Sequence, residues 1–333
     1  MARAFVNRGC EVTLFSSAVT GQPGDEVTEG GYRIVRRGGK LGVYREARRF
    51  WMREGQGNFD LVIDEVNTKP FGCPKWVKDV PVVALIHQVA KEIWFYEMPL
   101  LIALFGRYWL EGHWLRAYRK TPVVTVSISS MESLKSYGLT DVYVIPEGSD
   151  DVTMAPSRQM KVPDKEASLT LSFVGRLSAN KRPDHAIAAF RVIRESVPDA
   201  RLWVMGSGPM DEKLRRHAPE GVEFLGRVPD DVKRDRLSKS HALLVTSVRE
   251  GWGLVVTESA FCGTPCYGYN VAGLTDSIRS SGGVATDPGA LQLGRAVLRD
   301  KDELLAGSRQ VCSGGVIRWS EVVDRILGIC PSQ

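Results

Sequence analysis

Along the chain, short apolar runs closed by turn residues alternate with stretches of helical period. "DLVID" (60–64), "VPVVALIH" (80–87) and "PVVTVS" (122–127) predict buried strands, and "MESLKSYG" (131–138) predicts a helix stopped by its glycine. Strands separated by helices give parallel βαβ units. The opening "MARAFVNRGCEVTLFSS" reads as the end of an amphipathic helix, a stop at Gly9 and a strand from Val12 to Phe15. A strand and a glycine-rich loop ordinarily precede such a helix, so the expectation is a start beyond them, truncated upstream or assigned late. That would leave backbone edges of the first sheet open and part of its core unfilled.

The pattern breaks over 142–168, "VYVIPEGSDDVTMAPSRQMKVPDKEAS", which is rich in Pro, Asp and Ser and has no clear period. A second series follows: strands within 169–177, 200–208, 222–228, 242–248 and 264–270, helices near 183–196, 230–239 and 254–262, and an amphipathic closing helix at 318–329. The expected organisation is two doubly wound α/β domains, 1–148 and 149–317, with 318–333 as closing helix and tail.

Composition narrows the class. With 333 residues, 43% of them hydrophobic, the chain can bury two cores. A net charge of +5 spread over both halves argues against nucleic acid as partner. The six cysteines form no CxxC pair, which favours reduced thiols packed as structure, as at Cys262 and Cys266. No uninterrupted apolar run is long enough to span a bilayer and no signal peptide opens the chain, so a cytoplasmic setting is expected.

The chemistry concentrates in "TSVREGWGLVVTESAFCGTP" (246–265). "ALLVTSV" is a strand, "REGWG" a turn and "LVVTESAFCG" a helix, so Glu250 falls at the carboxyl end of a sheet strand, where open α/β sheets bind ligands. Gly251 and Gly253 allow a tight turn, and the amides of Leu254 and Val255 open the helix toward an anion. Carboxylates are poor phosphate ligands but good acceptors for sugar hydroxyls, so Glu250 and Glu258 beside a phosphate site suit a nucleotide sugar. The plain structural reading makes Glu250 an exposed turn acid and Glu258 a first-turn complement to the helix dipole. In "FVGRLSANKRPDHAIAAF" (173–190), Arg176 and Lys181 project from the same sheet edge, as a diphosphate grip or as an ordinary basic loop. "MGSGP" (205–209), with Gly206, is another strand-end turn, and a lone GxG is weak evidence.

The seven residues between Glu250 and Glu258, the "GRLSANK" loop and "GTP" after the helix resemble the retaining GT-B glycosyltransferases of the nucleotide-sugar family numbered four, glycosyl transferases group 1. That resemblance spans nearly the whole chain and is strongest over 169–280. It implies a GT-B fold, two Rossmann-like domains facing a cleft, with donor bound C-terminally and acceptor mostly N-terminally. It implies further that Arg176 and Lys181 hold the donor diphosphate, Glu250 the sugar hydroxyls, Glu258 the ribose, and the backbone from Gly253 through Leu254 to Val255 the distal phosphate. Gly206, Arg227 and Gly251 complete the expected donor contacts, with the base near Gly226 to Val228. His87 ends an N-terminal strand where similar enzymes carry a histidine facing the donor sugar; it would orient the sugar for front-face attack. Retention is likewise implied by the family alone. No Asp-x-Asp pair stands out and Asp150-Asp151 falls in the linker, so the expectation is a hexosyltransferase with no obligatory metal and no tightly bound cofactor, Arg176 and Lys181 supplying the charge. The family commonly has Asn where this chain has Glu147 in "IPEGSD", and that position is given no ligand role. An inactive nucleotide-sugar-binding remnant and a nucleotide-sugar epimerase are the rival readings.

Two N-terminal features bear on the acceptor. Arg45, Arg48, Arg49 and Arg53 in "VYREARRFWMRE" share one helical face that fits an anionic membrane or a lipid-linked phosphate, or a solvated surface. The aromatic segment 93–120 is too broken by charge to span a bilayer; it fits a helix lying on one at the inner membrane face, and equally core packing between helices.

Overall fold

The computed structural model describes residues 1–149, 164–312 and 315–330. Most of the linker, with Asp150 and Asp151, lies outside the described residues.

The strands are β1 (Thr13–Ser16), β2 (Asp25–Val27), β3 (Arg33–Arg36), β4 (Val62–Glu65), β5 (Val82–Leu85), β6 (Val123–Thr125), β7 (Val142–Val144), β8 (Glu147–Gly148), β9 (Thr170–Val174), β10 (Arg201–Met205), β11 (Val222–Gly226), β12 (Ala242–Val245), β13 (Cys266–Tyr269), β14 (Val284–Thr286) and β15 (Val316–Ile317). In the C-terminal half a six-stranded parallel sheet runs in the order β11-β10-β9-β12-β13-β14. Its four central strands, β10, β9, β12 and β13, are buried on both faces, which is why they read as continuous apolar runs rather than alternating ones. The helix Pro183–Ser196 begins with proline, whose fixed φ suits a first helical turn, and buries Ala186, Phe190 and Ile193 against the core. The order reverses between β9 and β12, a switch point that opens a crevice at their carboxyl ends.

The N-terminal half carries a parallel sheet β4-β5-β6-β7 and a separate sheet β1-β3-β2. β2 pairs antiparallel to β3, a departure from the all-parallel expectation. The turn at Gly30-Gly31 makes this possible: it reverses the chain within a few residues, where a parallel pair needs a long crossover. Among the described residues β1 and β4 are each paired on one side only. Between them lies a cavity of about 190 Å³ lined by Thr13, Phe15, Trp51, Leu61 and Ile63, among others. The linker expectation is also corrected at its start, since Val142–Val144 pairs with β6 and Glu147–Gly148 with β15. The helix Trp319–Ile329 returns to the N-terminal half, where Val322, Val323 and Ile326 pack with Phe5, Val83 and Val124.

Basic residues 45–53 do not form one regular helix. Val43–Phe50 is α-helical and Trp51–Gly55 continues with π geometry, so Arg53 leaves the predicted register. All four arginines are exposed, with Arg49 2.6 Å and Arg45 3.8 Å from Glu46.

Candidate active site

Three chain segments meet where β9 and β12 end. The loop after β9 carries Arg176 and Lys181; its backbone is tied to the segment after β12 by Val248 N donating to Asn180 O at 2.9 Å and Thr246 Oγ1 donating to Arg182 O at 2.7 Å. Arg182 adopts left-handed backbone (φ 49°), so these bonds hold a turn that would otherwise cost energy. The same turn sets Lys181 Nζ on Glu250 Oε1 as an ion pair. Ser247 Oγ donates to the same carboxylate oxygen at 2.6 Å, and Glu250 is 9% exposed. Glu250 is therefore not an exposed turn acid.

The turn after Glu250 is shaped by two glycines. Gly253 caps the helix Leu254–Phe261 with φ 82°, a conformation that disfavours side chains. The amides of Leu254 and Val255 open that helix, and the Leu254 side chain is exposed. A Cβ on Gly273 would overlap the Glu250 carbonyl oxygen, so that position admits only glycine. Glu258 is the fifth residue of the helix, beyond its first turn, which corrects the dipole-cap reading. Its carboxylate lies 3.0 Å from Lys233 Nζ, and Lys233 also pairs with Asp230. Burial works against the Lys233 charge, but the two acids outweigh it and raise its pKa.

Arg176 is exposed on the same loop as Lys181 with no ion pair among the described residues. Gly206 sits against that loop so closely that a Cβ would strike the Gly175 carbonyl; its evident duty is to let β9 and β10 end side by side. Arg227 is exposed beyond β11 and is not drawn into the Lys181–Glu250 cluster.

His87 comes from the other half. It follows β5, and its backbone meets the glutamate turn directly: a Cβ on Gly251 would stand 3.0 Å from His87 O. The imidazole Nε2 lies 3.6 Å from Glu147 Oε2. Burial opposes the imidazolium, but the Glu147 and Glu65 carboxylates outweigh it and raise the pKa above the ordinary histidine value. His87, Glu147 and Glu65 line a cavity of about 220 Å³ together with the apolar Leu85, Val124 and Ile145, among others.

Several residues that hold the halves together were not found from the sequence. Arg249 Nε donates to Glu92 Oε2 at 2.8 Å and its Nη1 to Ser133 Oγ at 3.3 Å. Ser129 Oγ donates to Asp276 Oδ2 and accepts from Gly273 N, both at 2.6 Å. Ser247 and Arg249 stand in the motif already singled out, so their place at a strand end was a usable signal. Ser129 and Asp276 are 147 residues apart, and no spacing rule joins them.

Known proteins share the sequence pattern and the fold. The family described as "Glycosyltransferase Family 4" matches residues 1–152, and "Glycosyl transferases group 1" matches 157–299. A GDP-mannose-dependent alpha-(1-6)-phosphatidylinositol dimannoside mannosyltransferase of Mycobacterium tuberculosis is 30% identical over 171 residues, 50% of this chain and 45% of that protein. The chain spans about half the length of the curated relatives it matches. Sucrose-phosphate synthase from Thermosynechococcus elongatus has the same fold, with a TM-score of 0.76 at 16% identity over 98% of this chain and 90% of its own. WaaG, a glycosyltransferase involved in lipopolysaccharide biosynthesis, superposes with a TM-score of 0.69 at 18% identity, covering 99% and 90%. With family matches over both halves and a shared architecture, the chain belongs to the group 1 glycosyltransferases of GT-B fold.

Proposed function

We propose that this chain transfers a hexose from a nucleoside diphosphate sugar to a hydroxyl acceptor, a glycan, lipid-linked or small molecule, with retention of configuration. The observation that carries this reading is the seating of Glu250 against Lys181 and Ser247 at the switch point, with His87 abutting the next residue from across the cleft. Donor sugar hydroxyls would take over Glu250 as acceptor, freeing Lys181 for the diphosphate together with Arg176. The sugar C1–O bond to phosphate breaks as the acceptor oxygen bonds to C1 on the same face. The acceptor proton passes to the departing phosphate oxygen, whose charge the two cations stabilise, so no metal is required. In this reading Glu258 exchanges Lys233 for ribose hydroxyls, the amides of Leu254 and Val255 receive the distal phosphate, and Gly206 and Arg227 border the nucleotide.

The same reading divides the chain into an acceptor part (1–148), a donor part (149–317) and a closing segment (318–333). It places the protein in the cytoplasm at the inner membrane face, with Arg45, Arg48, Arg49 and Arg53 toward anionic lipid.

Calorimetry with UDP, GDP and ADP, followed by anomeric NMR of the product from the matching donor, tests this proposal. Binding weakened by Arg176→Ala and Lys181→Ala, a product of unchanged anomeric configuration and turnover insensitive to a chelator support it. An inverted product or a chelator-dependent rate contradicts it.

A further inference from the structure

The segment after the cleft is folded with its large side chains outward. Leu100–Phe105 is α-helical, Gly106–Leu110 has π geometry, and Glu111–Leu115 is α-helical again. Its inward side is made of small residues. Ala103 is fully buried, and Gly106 lies so close to the buried Trp94 ring that a Cβ would overlap it. The outward side carries Leu100, Leu101, Ile102, Phe105, Tyr108 and Trp109, each more than half exposed, with Leu101 at 82%. A helix in water normally shows the reverse arrangement. Moreover, ten of the 22 large hydrophobics exposed among the described residues fall between Phe95 and Trp109, in one contiguous stretch. A largely apolar ridge of that kind, interrupted by the exposed Glu97 and the part-buried Arg107, marks an interaction surface.

Charge identifies its occupant. Phe105, Trp109 and His113 stack in series along one side, with centroids 4.9 and 5.2 Å apart, and Arg116, Arg119 and Lys120 follow. Those three cations are exposed and have no ion pair among the described residues. An exposed apolar ridge ending in cations without ion pairs among the described residues, with aromatic rings between, matches the layered chemistry of an anionic bilayer surface: hydrocarbon, interface, phosphate. No helix among the described residues is long and apolar enough to cross a membrane, so the ridge would enter one leaflet only.

We infer that residues 95–109 form a wedge that inserts into an anionic lipid surface, with Arg116, Arg119 and Lys120 on the headgroups. This rests on the membrane placement proposed above and deepens it by naming the segment that enters the lipid. The wedge begins just after Glu92, the residue that holds Arg249 beside Glu250, so insertion would set the cleft mouth at the lipid interface.

Flotation of the full chain with vesicles of phosphatidylcholine, with and without phosphatidylglycerol, tests the inference. The expected result is co-flotation that is stronger with phosphatidylglycerol and falls at least about tenfold in the triple variant Leu101→Ser, Phe105→Ser, Trp109→Ser. Because these side chains are solvent-exposed, the variant should melt as the parent does. As a second readout, brominated acyl chains should quench parent fluorescence more than that of Trp109→Phe. Absence of flotation, flotation unchanged in the triple variant, or a dimer in sedimentation velocity that the triple variant dissociates would each overturn it, the last by naming a second copy as occupant. Nucleoside diphosphate binding in the same preparations is expected to be unaffected, which separates failure of the wedge from failure of the catalytic reading.

Discussion

Lys181 and Glu250 come from loops 69 residues apart, yet the ammonium rests on the carboxylate, with Ser247 on the same oxygen. The pair keeps both charges satisfied in a half-buried crevice and leaves each ready to exchange its partner for a ligand group. Lys181→Ala should therefore lower kcat/KM by about 10²–10³-fold, as loss of a charge-stabilising donor does. Steady-state kinetics with the cognate donor checks this; an effect below tenfold would mean that the pair is structural.

Gly251 and Gly273 surround Glu250 differently, and their variants should separate. Alanine at Gly273 would overlap backbone at a φ of 78°, so Gly273→Ala should destabilise the fold by about 3 kcal/mol or more. A Cβ at Gly251 meets His87 at its carbonyl O, Cβ and C, at 3.0–3.2 Å, and the halves can yield by tenths of an ångström. Gly251→Ala should keep near-parental stability and lose about tenfold in kcat through misplacement across the cleft. Urea denaturation beside kinetics distinguishes the two outcomes.

Glu147 raises the pKa of His87, and this gives a signed dependence on pH. Because the folded value lies above the unfolded one, the stabilisation is fully present below the ordinary histidine value of about 6.5 and is lost as pH rises through the folded value. Glu147→Gln should therefore be destabilised relative to the parent at about pH 5.5, with the gap closing by about pH 8.5. Glu65 remains in the variant and preserves part of the shift. Denaturation curves at the two pH values test the sign, and a gap that widens with pH would refute it.

Arg249 is 7% exposed in its side chain, whereas its partner Glu92 is half exposed. Removing the acid strands a buried cation, while removing the arginine returns the acid to water. Glu92→Ala should accordingly cost about 1–3 kcal/mol and Arg249→Met less than about 1 kcal/mol. Equal costs in urea denaturation would show that the ion pair does not couple the halves.

Much of the C-terminal half was legible in the sequence, because strands buried on both faces and helices of regular period leave continuous signals. The helix at 183–196 and the turn at 250–253 fall where periodicity and glycine placed them. Strands β2 and β3 were missed, since Asp25–Val27 and Arg33–Arg36 are short and charged. Of the site, the motif residues could be read but not their partners. The Lys233 bond to Glu258 and the Ser129 contact with Asp276 join segments that only tertiary folding brings together. The outward-facing residues 100–109 show the limit most clearly: apolar content alone does not say which side of a helix is buried.

Donor turnover tests the central claim most directly. The purified chain would be incubated with a panel of UDP-, GDP- and ADP-sugars, with and without lipid extract, beside Glu250→Gln. Release of nucleoside diphosphate from one donor, stimulated by extract and reduced at least about 10²-fold in Glu250→Gln, is the predicted result. Nucleoside diphosphate that binds without any turnover, or turnover indifferent to Glu250, would contradict the account.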